Sequence, residues 1–332
     1  EHEEMHVQKK EKVSWTEPKQ FNILVEAKLG VVEGEKTTVY LRGEITQGVH
    51  VNFKNIIDSM HPKIPFGVAQ IGKAFRNEIT PRNFIFRSRE FEQMEMQTYV
   101  KPDEKEAMET FEAMKNLRMQ WYLNLGMDKD KLRFREHAPE ERAHYARAAW
   151  DIEYETPWGW DEAEGIHHRG DWDLSRHSKF SGQDLSYFDQ ETKERFIPWV
   201  IETSAGVERP LLYFLLDAYI EEEDRVVLKL HPKLAPYKAA VFPLLKNKPE
   251  LVEKARGIYR DLKNQFNVAW DDRGNIGKRY YSQDEIGTPY CITVDFQTLE
   301  DKTVTIRHRD TAEQERIAID QLVSYLQKKL QG

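Results

Sequence analysis

Phe75-Arg76-Asn77-Glu78, then Thr80-Pro81-Arg82-Asn83, then Phe86-Arg87-Ser88-Arg89-Glu90-Phe91-Glu92-Gln93-Met94-Glu95 is the stretch on which the reading of this chain turns. The pattern predicts strands over Val68–Glu78 and Phe84–Val100, joined by the turn-like Thr80–Asn83. Strand side chains alternate between faces. One face of the second strand then carries Arg87, Arg89, Phe91, Gln93, Glu95 and Gln97, while Arg76 and Glu78 share a face with Gly72 and Ala74. A polar face is ordinary on the solvated side of an antiparallel sheet. Here the other face, with Phe84, Phe86, Met94 and Met96, also holds Ser88, Glu90 and Glu92. A sheet polar on both faces is more easily explained by a ligand than by stability.

Around this hairpin lie 332 residues, enough for two domains. No apolar run approaches the roughly 20 residues that cross a bilayer, and the charged start Glu1-His2-Glu3-Glu4 does not read as a secretory signal. The single cysteine, Cys291, excludes an internal disulfide and a multi-thiolate zinc site. An intracellular, soluble, cytoplasmic protein is expected. Net charge is −8, but the stretch from Val226 onward carries 18 Lys/Arg against 14 Asp/Glu, so attraction for phosphates is plausible for the C-terminal third.

The first dozen residues are polar and expected to fray. Short strands are expected near Phe21–Glu26 and Thr38–Leu41. A helix is expected over Gly48–Met60, with Val49, Val51, Phe53, Ile56 and Ile57 inward, stopping before Pro62 and Pro65. Asp103 can cap a helix whose Met108, Phe111, Met114, Leu117, Trp121 and Leu125 recur at helical spacing up to Gly126. Residues 130–200 read as strands and loops, Phe196–Glu202 as a strand, and Leu211–Leu216 as a buried helix. Glu221-Glu222-Glu223-Asp224-Arg225 marks the expected boundary between domains 1–225 and 226–332. Beyond it are expected strands Lys238–Leu244 and Phe266–Trp270, a helix Pro249–Lys263, a hairpin Tyr290–Phe296/Thr303–His308, and a last helix opened by the capping-box pattern Thr311-Ala312-Glu313-Gln314.

The run F-R-N-E, a short loop, then F-R-S-R-E-F resembles motif 2 of class II aminoacyl-tRNA synthetases, and GKAFRNEITPRNFIFRSREFEQMEM is similar to glycyl-tRNA synthetases in particular. The resemblance implies an α+β fold: a catalytic antiparallel sheet flanked by helices, followed by an α/β anticodon-binding domain with a mixed sheet. Activation displaces pyrophosphate from ATP by an amino-acid carboxylate, so positioning and charge stabilisation do the work without a protein nucleophile. By resemblance Arg76 grips the α-phosphate and the incoming carboxylate, Glu78 accepts from the adenine amino group, Phe91 stacks on the purine and Arg87 contacts phosphate. Guanidinium suits these oxygens because it donates two parallel hydrogen bonds. The surrounding Asn77, Phe86, Ser88, Arg89 and Glu90 belong to the implied ATP site.

Ile201-Glu202-Thr203-Ser204-Ala205-Gly206-Val207-Glu208-Arg209 reads by itself as an ordinary strand-to-helix turn; beside motif 2 it resembles motif 3. There Arg209 binds the γ-phosphate, catalytic together with Arg76, and Gly206, Val207 and Glu208 adjoin it at a helix start that favours anions. Glu162 and Ala163 stand where the family contacts ATP. Mg²⁺ is implied as a phosphate bridge, with Glu202 as a ligand. Glycine offers only an ammonium and a carboxylate, so its pocket is implied to combine Glu44, Glu95, Glu202 and Ser204 with Phe91, Glu92, Gln93, Met94, Thr203, Ala205 and Gly206. Arg42-Gly43-Glu44-Ile45-Thr46-Gln47-Gly48 departs from the family's R-P-E-T-A-Q-G, and a larger Ile45 beside the amino acid is expected to affect selectivity.

His167-His168 with Asp171, Asp173 and His177 invites a metal reading, but the spacing fits no zinc pattern. Asn275–Tyr280 and Gly287–Tyr290 resemble the family's anticodon-binding domain, with Arg307, His308 and Arg309 adjacent and stacking on unpaired bases the expected mode. Motif 1, the family's homodimer element, is not found, which suggests a shortened form and leaves dimerisation open. Expected partners are ATP, glycine and tRNA(Gly), with no membrane. Two other readings remain: a non-catalytic synthetase-like accessory protein, which would be expected to lose Arg76, Arg87 and Arg209, and an amino-acid:ATP ligase that does not charge tRNA.

Overall fold

The structure, a computed structural model, describes residue 17, residues 20–32 and residues 34–330; the polar N-terminal dozen lies outside them. A two-stranded hairpin, β1 (Glu26–Leu29) with β2 (Thr37–Tyr40), leads into α1 (Thr46–Val51) and α2 (Phe53–Met60). The helix expected over Gly48–Met60 is therefore two helices. They break at Asn52, whose side-chain amide donates to the Gly48 carbonyl (2.9 Å) in place of a continued helical bond. Val49 and Phe53 are buried as expected, whereas Val51 faces solvent.

Six antiparallel strands form the N-terminal sheet: β3 (Phe66–Phe75), β4 (Glu90–Val100), β5 (Leu132–Glu136), β6 (Ala148–Thr156), β7 (Gly159–Gly170) and β10 (Trp199–Gly206), in the order β3-β4-β10-β7-β6-β5. Between β3 and β4, residues 76–89 leave the ladder; the expected continuous strands stop at Phe75 and start at Glu90. Positive φ at Asn83 (55°) and Phe84 (54°) breaks the alternation. Phe84 is consequently exposed and Phe86 buried, although an unbroken strand would put them on one face.

One face of this sheet is covered by α3 (Glu104–Asn124) and α5 (Glu208–Ala218), where Phe111, Tyr122, Leu212, Tyr213 and Phe214 close over Ile152, Ile166 and Ile201. Asp103 caps α3 as expected, accepting from the Glu106 amide, while Leu117 faces solvent. The other face is half apolar and half polar. At one end α1, α2 and α4 (Trp172–Ser181) bury Val49, Phe53 and Leu174 against Tyr99 and Val200, next to a small hairpin of β8 (Tyr187–Phe188) and β9 (Arg195–Phe196). The other end is open. Helix α4 occupies part of the stretch expected as strands and loops.

Glu221–Arg225 forms the turn of a hairpin, β11 (Tyr219–Glu221) with β12 (Val226–Leu228). The second sheet then runs β14-β13-β15-β16-β17, from β13 (Ala239–Pro243), β14 (Val268–Trp270), β15 (Tyr290–Val294), β16 (Thr303–His308) and β17 (Gln314–Ala318). Strand β13 is parallel to β14 and β15, and the remaining pairs are antiparallel. Helix α6 (Pro249–Lys263), with proline in its first turn, has the expected bounds and buries Leu251, Ala255, Ile258 and Leu262. Asn275 caps α7 (Ile276–Glu285). Thr311–Gln314 does not open a helix: β17 begins at Gln314 because the β16 edge takes a partner there, and the last helix, α9, runs Leu322–Leu330. The capping box belongs to Asp295 and Thr298 of α8 (Phe296–Asp301), so Phe296 is helical and not a strand end.

Candidate active site

Register builds the site. Strands β4, β10 and β7 are neighbours, and pairings Glu95↔Ser204, Gln97↔Glu202, Glu202↔His167 and Ser204↔Gly165 place these residues in rows on the open end of the sheet. A cavity of about 300 Å³ lies over them. Arg76, Arg87 and Arg209 all line it, the first two from opposite ends of the loop between β3 and β4 and the third from the start of α5.

Each guanidinium is held by its neighbours, and none is fully buried. Arg76 Nε donates to the Gly43 carbonyl (3.1 Å) and its charge sits 5.3 Å from the Phe91 ring centre. Arg87 is 3.8 Å from a Glu78 oxygen. Arg209 reaches both the Glu162 carbonyl and its carboxylate (3.2 Å each) and lies 4.5 Å from the Phe86 ring centre. The helix start beneath Arg209 is tied to the sheet by Glu208, whose carboxylate accepts from the Glu92 amide (2.9 Å).

Beside the arginines sits a buried acid pair. Glu202 is driven up by burial, but the hydrogen bond with His167, the Arg169 charge and the Gln97 amide outweigh this and hold it to about 2. Arg169 Nη1 meets both Glu202 oxygens (3.1 and 3.2 Å), while its Nε and Nη2 donate to Asp173 (2.8 and 3.1 Å). Glu95 has no arginine of its own. Burial and the neighbouring Glu202 charge push it up to about 7, against donation from Thr46. Next to a depressed carboxylate, a raised one is the arrangement that an incoming ammonium relieves.

Of the residues expected at the site, Glu44, Arg76, Glu78, Phe86, Arg87, Ser88, Phe91, Gln93, Glu95, Glu162, Glu202, Ser204, Ala205, Gly206, Glu208 and Arg209 line the cavity. The others are turned elsewhere. Asn77 donates its amide to the Asn22 carbonyl, and Arg89 donates to the Glu78 carbonyl. Glu90 pairs with Lys73 on the outer face of the hairpin (3.2 Å). The Glu92, Met94 and Thr203 side chains fall on the alternate face of their strands. Ala163 belongs to the core under α5, because a register shift pairs Ile152 with Glu164 but Glu153 with Glu162; the extra residue returns Glu162 to the cavity side. Val207 caps α5 with its backbone and does not line the cavity.

Two expectations are corrected. Ile45 is fully buried and packs toward Gly72, outside the cavity; Thr46, its neighbour, is the residue that lines it. Glu202 is a poor Mg²⁺ ligand, because Arg169, Gln97, Thr46 and His167 already surround its oxygens. The sequence reading missed Thr46, Ile85, Tyr145, Gly165, His167 and Arg169. Gly165, His167 and Arg169 share one face by alternation among themselves, but alternation counted from Glu162 reaches Glu164, Ile166 and His168 instead, because the register shift at Ala163 reverses the face. Tyr145, stacked 4.0 Å over the Arg169 charge, comes from a loop without a pattern.

The histidine-rich run is dispersed: His167 meets Glu202, His168 packs on Trp199, Asp173 serves Arg169, and His177 meets Gln47. Among the described residues no three His, Cys, Asp or Glu are placed to hold a metal. In the second sheet, Arg307 and Arg309 are buried and do not present stacking surfaces. Arg307 forms a two-bond pair with Asp284 (2.8 and 3.0 Å), which also accepts from Arg225, and Arg309 donates to the Gly287 and Leu230 carbonyls.

An antiparallel sheet carrying three convergent arginines over a nucleotide-sized cavity, followed by a mixed-sheet unit, is the architecture of a class II synthetase core with its appended domain. Residues 31–219 match the family described as "tRNA synthetase class II core domain (G, H, P, S and T)", and residues 238–329 match "Anticodon binding domain". Glycine–tRNA ligase of Borreliella burgdorferi is 53% identical over 325 residues, covering 96% of this chain and 72% of that one. That of Thermobifida fusca is 53% identical over 333 residues (97% and 71%), and that of Chlorobaculum tepidum 53% over 321 (95% and 67%). The chain belongs to the glycine–tRNA ligase family. No described helix is long and apolar enough to cross a membrane.

Proposed function

We infer that this chain activates glycine with ATP and transfers it to the 3′ end of tRNA(Gly), acting in the cytoplasm. The observation that carries this is the meeting of Arg76, Arg87 and Arg209 with the acids Glu44, Glu95 and Glu202 in one cavity of about 300 Å³. In the reaction a carboxylate oxygen of glycine attacks the α-phosphorus and the bond to pyrophosphate breaks. A ribose hydroxyl then attacks the adenylate carbonyl and AMP leaves.

Arg76 is suited to bridge the carboxylate and the α-phosphate, with Phe91 beneath it as the purine platform. Glu78 accepts from the adenine amino group. Arg87 and Arg209 balance charge that moves onto the leaving pyrophosphate, in a site where fixed donors need no reorganisation. Glu95, with Glu44 and Ser204, holds the ammonium, and Glu202 adds its negative charge from behind Glu95. Phosphate-bound Mg²⁺ would supply further charge neutralisation, and the half-exposed Glu162 fits as its protein ligand better than Glu202 does. We place the catalytic unit in residues 1–225 and the tRNA-reading unit in 226–332.

Glycine-dependent exchange of pyrophosphate into ATP tests this, with alanine and serine as controls. Exchange with glycine alone is expected, and Arg76→Ala is expected to abolish it in a folded protein. Absence of exchange in the unaltered chain overturns the enzymatic reading in favour of a non-catalytic accessory role.

A further inference from the structure

Thr46 enters the cavity where the family's R-P-E-T-A-Q-G pattern has alanine, and it is 1% exposed. Its hydroxyl lies 2.9 and 2.8 Å from the two Glu95 oxygens and 3.4 Å from Glu202 Oε2. A hydroxyl has one proton to give, and the distances direct it to Glu95.

The rest of the shell leaves Glu95 short of donors. Ser204 Oγ is 3.2 Å away and Gln97 Nε2 3.3 Å, both longer than the Thr46 contact. Gln97 Nε2 lies closer to Glu202, at 2.7 Å. The Gln93 amide, oriented by the Ile45 N–H on its oxygen (3.2 Å), donates to Ser204 Oγ (3.0 Å), which points the serine proton toward Glu95. The titratable and charged groups around Glu95 are Glu202 from β10, Glu44 from the loop before α1, Arg76 across the cavity, and His167 and Arg169 from β7 on the far side of Glu202. Of these, the Glu202 and Glu44 charges raise it.

We propose that Thr46 is a positioning residue for amino-acid recognition: its hydroxyl orients Glu95 and favours the carboxylate form that the glycine ammonium meets. This rests on the reading of the cavity as a glycine–ATP site. Removing the hydroxyl withdraws the shortest donor from a carboxylate already raised by burial and by Glu202. The carboxyl then holds its proton to higher pH and meets an ammonium as a neutral group.

Thr46→Val keeps the side-chain shape and removes the hydroxyl; Thr46→Ser keeps the hydroxyl. In glycine-dependent pyrophosphate exchange at pH 7, Thr46→Val is expected to raise KM for glycine about tenfold, the worth of one hydrogen bond to a charged group. KM for ATP should not follow it. The acid limb of kcat/KM for glycine should move to higher pH, the deficit shrinking toward pH 8.5, and Thr46→Ser should restore both. Glycine-dependent exchange in the unaltered chain with an unshifted Thr46→Val profile overturns the role of Thr46 alone. So does a Thr46→Val deficit that is the same at every pH, which marks a packing effect. Failure of the unaltered chain to exchange with glycine overturns the site reading and this inference with it.

Discussion

Replacing Arg169 by leucine isolates the charge that organises the site. The guanidinium is almost completely buried and bridges two buried carboxylates, with bonds of 2.8 and 3.1 Å to Asp173 and 3.1 and 3.2 Å to Glu202. Leucine leaves both acids without their cation. Removing one partner of a buried ion pair costs about 3–5 kcal/mol. With a urea slope of about 2–3 kcal/mol per molar, the midpoint should fall by about 1–2 M at pH 7.5. The pH dependence is the sharper test. In the unaltered protein Glu202 is held to about 2, below its unfolded value, so the stability it contributes is fully present between pH 5.5 and 7.5 and lost only in stronger acid. Without Arg169 the Glu202 carboxyl rises above its unfolded value, and protonation restores stability as pH falls. Glu95, raised in both proteins, contributes in the same sense to each. The gap in midpoint should therefore narrow from pH 7.5 to 5.5, followed by tryptophan fluorescence. A variant whose midpoint is unchanged at pH 7.5, or whose deficit stays constant between the two pH values, refutes the account.

Arg307→Ala should destabilise the second sheet by about 1.5–3 kcal/mol, because fully buried Asp284 loses two charged hydrogen bonds and keeps the one from Arg225; an intact melting curve with weakened tRNA binding would show an RNA contact instead. Phe111→Ala should cost about 3–5 kcal/mol, since its ring is fully buried between α3 and the first sheet; a loss under 1 kcal/mol in denaturant unfolding would contradict that packing. Burial pushes the Cys291 thiol well above its ordinary range, so it should resist a thiol-specific disulfide reagent at pH 8 until urea is added; rapid labelling of the folded protein would show the β15 core to be open. Gly126→Ala should lower the melting temperature, because φ is +88° and the new Cβ would stand 3.3 Å from His231; an unchanged melting temperature would place the helix terminus elsewhere.

What could be read from the sequence were signals that act over a few residues. The Asp103 cap, the proline-led α6 and the two motif strings around Arg76 and Arg209 are of this kind. They are local because capping, proline geometry and side-chain alternation are settled by immediate neighbours. The same local rule failed once it was extended through residues 76–89, where two positive-φ residues suspend alternation, and at Ala163, where one extra residue reverses it. The shape of the cavity was decided by register instead. Thr46 meets Glu95 across 49 positions, Arg169 meets Glu202 across 33 and Gln93 meets Ser204 across 111. No pattern within a single segment encodes which residues of three separate strands stand side by side. The same limit applies to the burial of Arg307 and Arg309, which stand in sequence beside the expected base-stacking motifs until Asp284 and two carbonyls from distant segments claim them. The sequence alone determined which chemical groups are present and the local elements that carry them. Only the tertiary structure decided which groups are neighbours and which lose their water, and those two conditions set the ionisation of Glu95 and Glu202.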